Sequence, residues 1–143
     1  MSVRVTAGRR LVLVLADDLF VRGRIDATAR ATGQPVRYAR SADDARAALR
    51  EESPRAVLIG LAATRLPWEE IVRALRADPS TAGTYVLGFG PHMDLALRSR
   101  ALAAGVDRVL ANSAFTRMLP ALLANPADST VVDDTEGSED GGH

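Results

Sequence analysis

Leu11-Val12-Leu13-Val14-Leu15-Ala16-Asp17-Asp18 is an unbroken apolar run closed by two carboxylates, with Arg10 in front of it. A strand with one wet face alternates apolar and polar residues. A run that is apolar at every position suits a strand buried on both faces of a parallel sheet. The residues that follow repeat one cycle of helix, turn and short apolar strand.

Residues 19–32 carry Val21, Ile25, Ala29 and Thr32 at helical spacing, and Gly33 and Pro35 supply a stop. A second strand is expected over Val36–Arg40. Ser41 then stands as an N-cap, with Asp43 and Asp44 in the first turn, where the helix end is positive. Ala45, Ala48 and Leu49 give that helix a small-residue face, and Ser53-Pro54 ends it. Ala56–Leu61 reads as the third strand. Pro67 suits the opening of a third helix, because its missing N–H costs nothing there. Glu69 and Glu70 favour the same end. Trp68, Ile71, Val72 and Leu75 form its buried stripe, so Trp68 reads as packing rather than as an exposed anchor, and Asp78-Pro79 stops it.

Tyr85–Phe89 is the fourth strand, and Asp94 caps a helix over Leu95–Ala104 that Gly105 closes. Val106–Ala111 is the fifth strand. The last helix is expected from about Ala114 to Ala124, late and short, so that Pro120 falls in its first turn. Five strands alternating with five helices through short connections make a doubly wound α/β domain with a five-stranded parallel sheet. That domain occupies residues 10–124. Residues 1–9 read as a frayed start. Residues 125–143, rich in Asp, Glu, Gly, Ser and Thr, read as an acidic disordered tail.

Composition narrows the chemistry. The 143 residues are 47% hydrophobic and 25% charged, which fits a globular domain rather than a disordered or membrane chain. There is no cysteine, so disulfides, thiolate metal sites and cysteine nucleophiles are excluded. All 18 basic residues are arginine, so no mechanism that needs a lysine ammonium is available. The zero net charge divides unevenly. Residues 1–127 hold 18 Arg against 12 Asp and Glu, a net +6, and residues 128–143 hold six acids and no Arg, a net −6.

No apolar run approaches the roughly 18 residues of a membrane span, and no signal-like start is present, so a cytoplasmic protein is expected. His92 has no companion at metal-ligand spacing, and no G-x-S-x-G turn marks a nucleophile. The arginines are spread over strands, helices and loops, and the six aromatics are scattered among them. A nucleic-acid surface would concentrate both on one face, so no nucleic-acid partner is expected.

The order of elements, the acidic pair, Ala56-Val57-Leu58-Ile59-Gly60-Leu61, Val86-Leu87-Gly88-Phe89-Gly90 and Ala104-Gly105-Val106-Asp107-Arg108-Val109-Leu110 together resemble the receiver domain of two-component response regulators over about residues 9–124. The resemblance implies a flavodoxin-like sheet of order 2-1-3-4-5. It also implies a site in which the acidic pair and a third carboxylate hold Mg²⁺. That third carboxylate, at the end of strand 3, accepts a phosphoryl group, a hydroxyl ends strand 4, and a lysine neutralises the phosphoryl oxygens. Asp17 and Asp18 match the pair. The acceptor position falls on Gly60, and no Asp or Glu occurs between Ser53 and Trp68 to replace it. The hydroxyl position falls on Gly90 and the lysine position near Ala111.

The chain therefore looks like a degenerate, pseudo-receiver form without phosphoryl chemistry. It is expected to be a protein-interaction module in bacterial signalling or phosphorelay rather than an enzyme. Two readings of Asp17 and Asp18 stand: a helix cap with surface charge, or a vestigial weak Mg²⁺ site. A second function also stands, a receptor for a small ligand, such as a nucleotide, at the open ends of strands 1, 3 and 4. The surplus apolar residues Leu95, Leu102, Phe115, Met118 and Leu122 point to a protein partner or to homodimerisation through helix 4, strand 5 and helix 5. The acidic tail beside a basic body could shade that body, or could simply keep the chain soluble.

Overall fold

The computed structural model describes residues 10–62, 65–91 and 94–124. The expected frayed start, the acidic tail and His92 lie outside them. The chain forms β1 (Val12–Leu15), α1 (Leu19–Thr32), β2 (Val36–Tyr38), α2 (Ala42–Glu52), β3 (Ala56–Gly60), α3 (Trp68–Ala77), β4 (Tyr85–Gly90), α4 (Leu95–Ala104), β5 (Arg108–Ala111) and α5 (Asn112–Ala124). All strand pairs are parallel, in the order β2-β1-β3-β4-β5. From β1 the chain steps to β2 on one side, then crosses back past β1 to add β3, β4 and β5 in turn on the other. All five strands therefore end on one side of the sheet, and the helices start there.

The apolar run of β1 serves two cores, because successive side chains of a strand point to opposite faces. Leu13 and Leu15 join Ala45, Leu49, Ile71, Val72 and Ala101 of α2, α3 and α4. Val12, Val14 and Ala16 join Ile25 and Ala29 of α1 and Phe115, Leu119 and Leu122 of α5. Every residue of β1 is fully buried, which is why the sequence shows no alternation.

Local chemistry sets the helix ends. Asp18 caps α1, Ser41 caps α2 through its hydroxyl to the Asp44 N–H, and Asp94 caps α4 through the Leu97 N–H. Gly33 and Gly105 end α1 and α4 with φ of 76° and 120°, a region that other residues enter only with strain. The last helix differs from expectation. It begins at Asn112 and holds Pro120 in its interior. Pro120 lies on the exposed side, while Phe115, Leu119, Leu122 and Leu123 are buried. Burial of four large side chains at about 1.5–3 kcal/mol each outweighs the roughly 3 kcal/mol that an interior proline costs.

Candidate functional site

An open pocket of about 200 Å³ lies at the carboxyl ends of β1, β3 and β4, lined by Asp17, Asp18, Gly60, Phe89, Gly90 and Asn112 among others. Its two carboxylates have different surroundings. Asp18 is exposed, and its Oδ1 accepts the backbone N–H groups of Phe20 (2.9 Å) and Val21 (3.3 Å), satisfying two of the free donors at the start of α1. Asp17 is half-buried and makes no hydrogen bond or ion pair with any described residue. Among the described residues, no three His, Cys, Asp or Glu side chains come close enough to hold a metal ion.

The floor is built by register. Gly60 lies beside Phe89 in the β3–β4 ladder, and a Cβ at Gly60 would stand 3.4 Å from the Ala16 Cβ and from the Phe89 ring. Phe89 and Gly60 thus face the same side of the sheet. Gly90 is one residue further on, so its missing side chain would point to the other side, toward Leu97 and Leu61. The residue beside Gly60 on that face of the sheet is Phe89, and Gly90, where the resemblance places the hydroxyl, also borders the pocket. Ala111 is the last residue of β5, paired with Gly90, and the residue that reaches the pocket is Asn112. A phenyl ring and an amide thus border the pocket beside the two carboxylates.

No protein-family model and no curated protein matches the chain. Solved structures do. The chemotaxis response regulator CheY4 of Vibrio cholerae is similar at 18% identity and TM-score 0.69, over 80% of this chain and 96% of that one. The receiver domain of NtrX from Brucella abortus is similar at 20% identity and TM-score 0.69, over 83% and 98%. The phosphorylated cyanobacterial phytochrome response regulator RcpA is similar at 16% identity and TM-score 0.66, over 92% and 96%. The chain has the receiver fold. The strand order 2-1-3-4-5 read from the sequence holds.

In this receiver-fold chain the candidate interaction surface is smaller than the sequence suggested. Leu95 and Leu102 on α4 are 68% and 44% exposed. Phe115 and Leu122 are not surface residues: they are buried under α5 against the sheet, and Met118 is half-buried against the same core. The long apolar face of α5 is thus core, because α5 covers β4 and packs along α1. Two exposed apolar residues were missed, Leu19 at 76% and Phe20 at 72%, in the first turn of α1 beside the pocket. Their signal was present, since neither lies on the Val21–Ile25–Ala29 stripe.

A second missed cluster lies at the amino ends of β4 and β5. Arg76 of α3 donates to the carbonyls of Gly105 (2.9 Å), Ala82 and Thr84 (both 2.7 Å) and to Asp107 Oδ2 (2.8 Å). Asp107 also accepts the Val86 N–H. This cluster ties α3 to two strand entrances and is structural. No described helix is long and apolar enough to cross a membrane.

Proposed function

We propose that this chain is a receiver-fold module of bacterial two-component signalling that acts by binding protein partners and does not accept a phosphoryl group. The observation that carries the reading is Gly60 at the acceptor position with the Phe89 ring against it. Phosphoryl transfer to a carboxylate requires the carboxylate, a bound cation and donors for the phosphoryl oxygens. The pocket offers one cap-engaged carboxylate, one without a partner among the described residues, and an amide. With no group to take the phosphate, no turnover is assigned to the chain.

The output surface in this reading is the outer face of α4, where Leu95 and Leu102 are exposed, taken up by a protein partner or by a second copy. Exposed leucines on a short helix contribute to association through apolar burial and cost little when left wet. The test is intact mass after incubation with acetyl phosphate and Mg²⁺, followed by light scattering over a range of protein concentration. Unchanged mass together with concentration-dependent assembly supports the reading. One phosphoryl adduct on an aspartate overturns it.

A second reading is supported by the pocket itself. A space of about 200 Å³ with an apolar floor and the half-buried carboxylate of Asp17 suits a small cationic or hydrogen-bonding ligand. A metabolite that raises the melting temperature in proportion to ln(1 + [L]/Kd) would favour it.

A further inference from the structure

Leu19 and Phe20, the first two residues of α1, are the most exposed large apolar side chains among the described residues. Two adjacent apolar side chains of this size gain free energy from any cover that takes them out of water. Arg24, one turn further along α1, is exposed, and its guanidinium lies 5.5 Å from the centroid of the Phe20 ring. Among the described residues Arg24 forms no ion pair, whereas Arg30 on the same helix meets Asp26 at 3.0 Å. The flank that carries Phe20 and Arg24 can be assigned. Arg22 lies over the Tyr38 ring at 4.6 Å, which turns its own flank toward β2. Phe20 and Arg24 stand two residues from Arg22, about 200° round the helix. They therefore take the opposite flank, where α5 packs beside α1 in the same layer.

We infer that this flank of α1 is the docking site of the chain's own residues 128–132, Asp128-Ser129-Thr130-Val131-Val132. Reach and chemistry select that occupant together. α1 and α5 both start at the carboxyl ends of the strands and run back side by side, so Ala124 ends beside the last turn of α1. The way back to Phe20 is the length of α1, 14 residues or about 20 Å. Val131 is seven residues beyond Ala124 and reaches about 23–25 Å when extended. Asp128 reaches about 13 Å on the same path, level with Arg24, which lies about 12 Å from Thr32 along the helix. Val131-Val132 is also the one pair of adjacent large apolar residues after α5, so the apolar pair of the segment meets the apolar pair of the helix. Asp133-Asp134 end the docked stretch, because Asp17 and Asp18 stand just before Leu19 and like charges repel. Tethering gives the segment a millimolar effective concentration, so a contact this small holds within one chain. Leu95 and Leu102 on α4 are then the large apolar residues left open to a partner.

The chain has no cysteine, so Ser129→Cys in the full chain carries a single nitroxide label at a known place. Amide NMR relaxation is compared between the oxidised and the reduced label. The expected result is strong relaxation enhancement at Phe20, Gly23 and Arg24. Val131→Ser with Val132→Ser in the labelled chain should cut that enhancement roughly fivefold or more, because apolar burial holds the segment. Arg24→Gln, which alters an exposed side chain, should cut it by a smaller factor. Asp133→Asn with Asp134→Asn should leave it unchanged or raise it. Enhancement confined to the residues around Ala124 overturns the inference, as does enhancement at Phe20 that survives both valine substitutions. Loss on neutralising Asp133 and Asp134 also overturns it, and would reduce the contact to a general attraction between an acidic segment and a basic domain. Enhancement of equal size in a mixture of labelled chains with unlabelled, isotope-enriched chains overturns it too, since the contact would then join two copies.

Discussion

The ring of Phe89 stacks on the ring of Phe115, with centroids 4.0 Å apart and planes within 11°. This joins the end of β4 to α5 through an apolar contact next to Gly90, the residue at which the resemblance places a hydroxyl that senses a phosphoryl group. Both rings are almost fully buried, so the contact holds α5 on the sheet in one position. A threonine at that point could change partners, whereas a stacked phenyl pair inside a packed core cannot do so without opening a cavity.

Restoring a carboxylate should restore part of the cation chemistry. Gly60→Asp places its Cβ in ordinary contact with Ala16 and Phe89, so the variant should fold. The introduced charge would share the pocket with Asp17 and Asp18, and the like charges would repel until a cation binds. Thermal melts in about 10 mM Mg²⁺ should leave the unsubstituted chain unchanged and stabilise Gly60→Asp by a few degrees. Tenfold saturation is worth about 1.4 kcal/mol. Equal shifts in both proteins would show that Asp17 and Asp18 already bind the ion.

The two aspartates should separate in stability. Asp18→Ala removes acceptors from two N–H groups at the start of α1, and loss of an N-cap costs about 1 kcal/mol. Asp17→Asn removes a half-buried carboxylate that has no partner among the described residues, and should leave the unfolding midpoint unchanged or slightly raised. Urea unfolding of the two variants decides between a cap and a metal pair. Equal losses would argue that the two residues act as one unit.

Much of the fold was legible because it depends on burial that composition reveals. β1 is apolar at every position because both of its faces are covered, and Ser41, Asp94, Gly33 and Gly105 sit at helix ends for reasons local to each residue. Pro120 misled because its local penalty is smaller than the tertiary burial of Phe115, Leu119, Leu122 and Leu123, which no window of sequence reports. The site was legible in what it lacks. That Gly60 carries no carboxylate follows from residue identity alone, but which face of the sheet Gly90 and Ala111 take does not. Strand register decides which face a side chain takes, and a shift of one residue reverses that face. The misjudged face of α5 has the same origin: amphipathic spacing shows that a stripe exists, and only the packing partner shows whether it is covered.

Gly105→Ala should be among the more damaging small substitutions. Its φ of 120° is strained for any side chain, and a Cβ there would stand 2.8 Å from the Arg76 Cγ. Moving Arg76 would disturb its bonds to Gly105, Ala82, Thr84 and Asp107 together. A loss of about 2 kcal/mol or more is expected from chemical denaturation, above the usual cost of strain alone. A change under about 0.5 kcal/mol would show that the arginine relaxes freely.

Acid should weaken the fold through three surface carboxylates. The backbone N–H of Arg40, then the Arg37 guanidinium, hold Asp44 below the usual carboxylate range. The Arg100 guanidinium does the same for Glu69, and the backbone N–H of Ser80 for Asp78. A group whose pKa is lower folded than unfolded binds fewer protons when folded. Its stabilisation is therefore complete above the unfolded value, near pH 4, and is lost as pH falls through the lower folded value. The unfolding midpoint should be flat from pH 7 to about 5 and decline below 4. Asp44→Asn should make that decline shallower, and an unchanged slope would remove Asp44 from the account.

The face of α4 can be separated from the core beneath α5 by substitution. Leu95 and Leu102 are exposed, so Leu95→Ser with Leu102→Ser removes apolar surface without opening a cavity. The unfolding free energy should move by no more than about 0.5 kcal/mol per site, while any concentration-dependent mass in light scattering should disappear. Phe115→Ala empties the space against Phe89 and should cost about 3–5 kcal/mol. If the double serine variant assembles like the unsubstituted chain, α4 is not the contact. Leu19 and Phe20, the other exposed apolar pair, then become the residues to substitute, because they flank the pocket on the opposite layer.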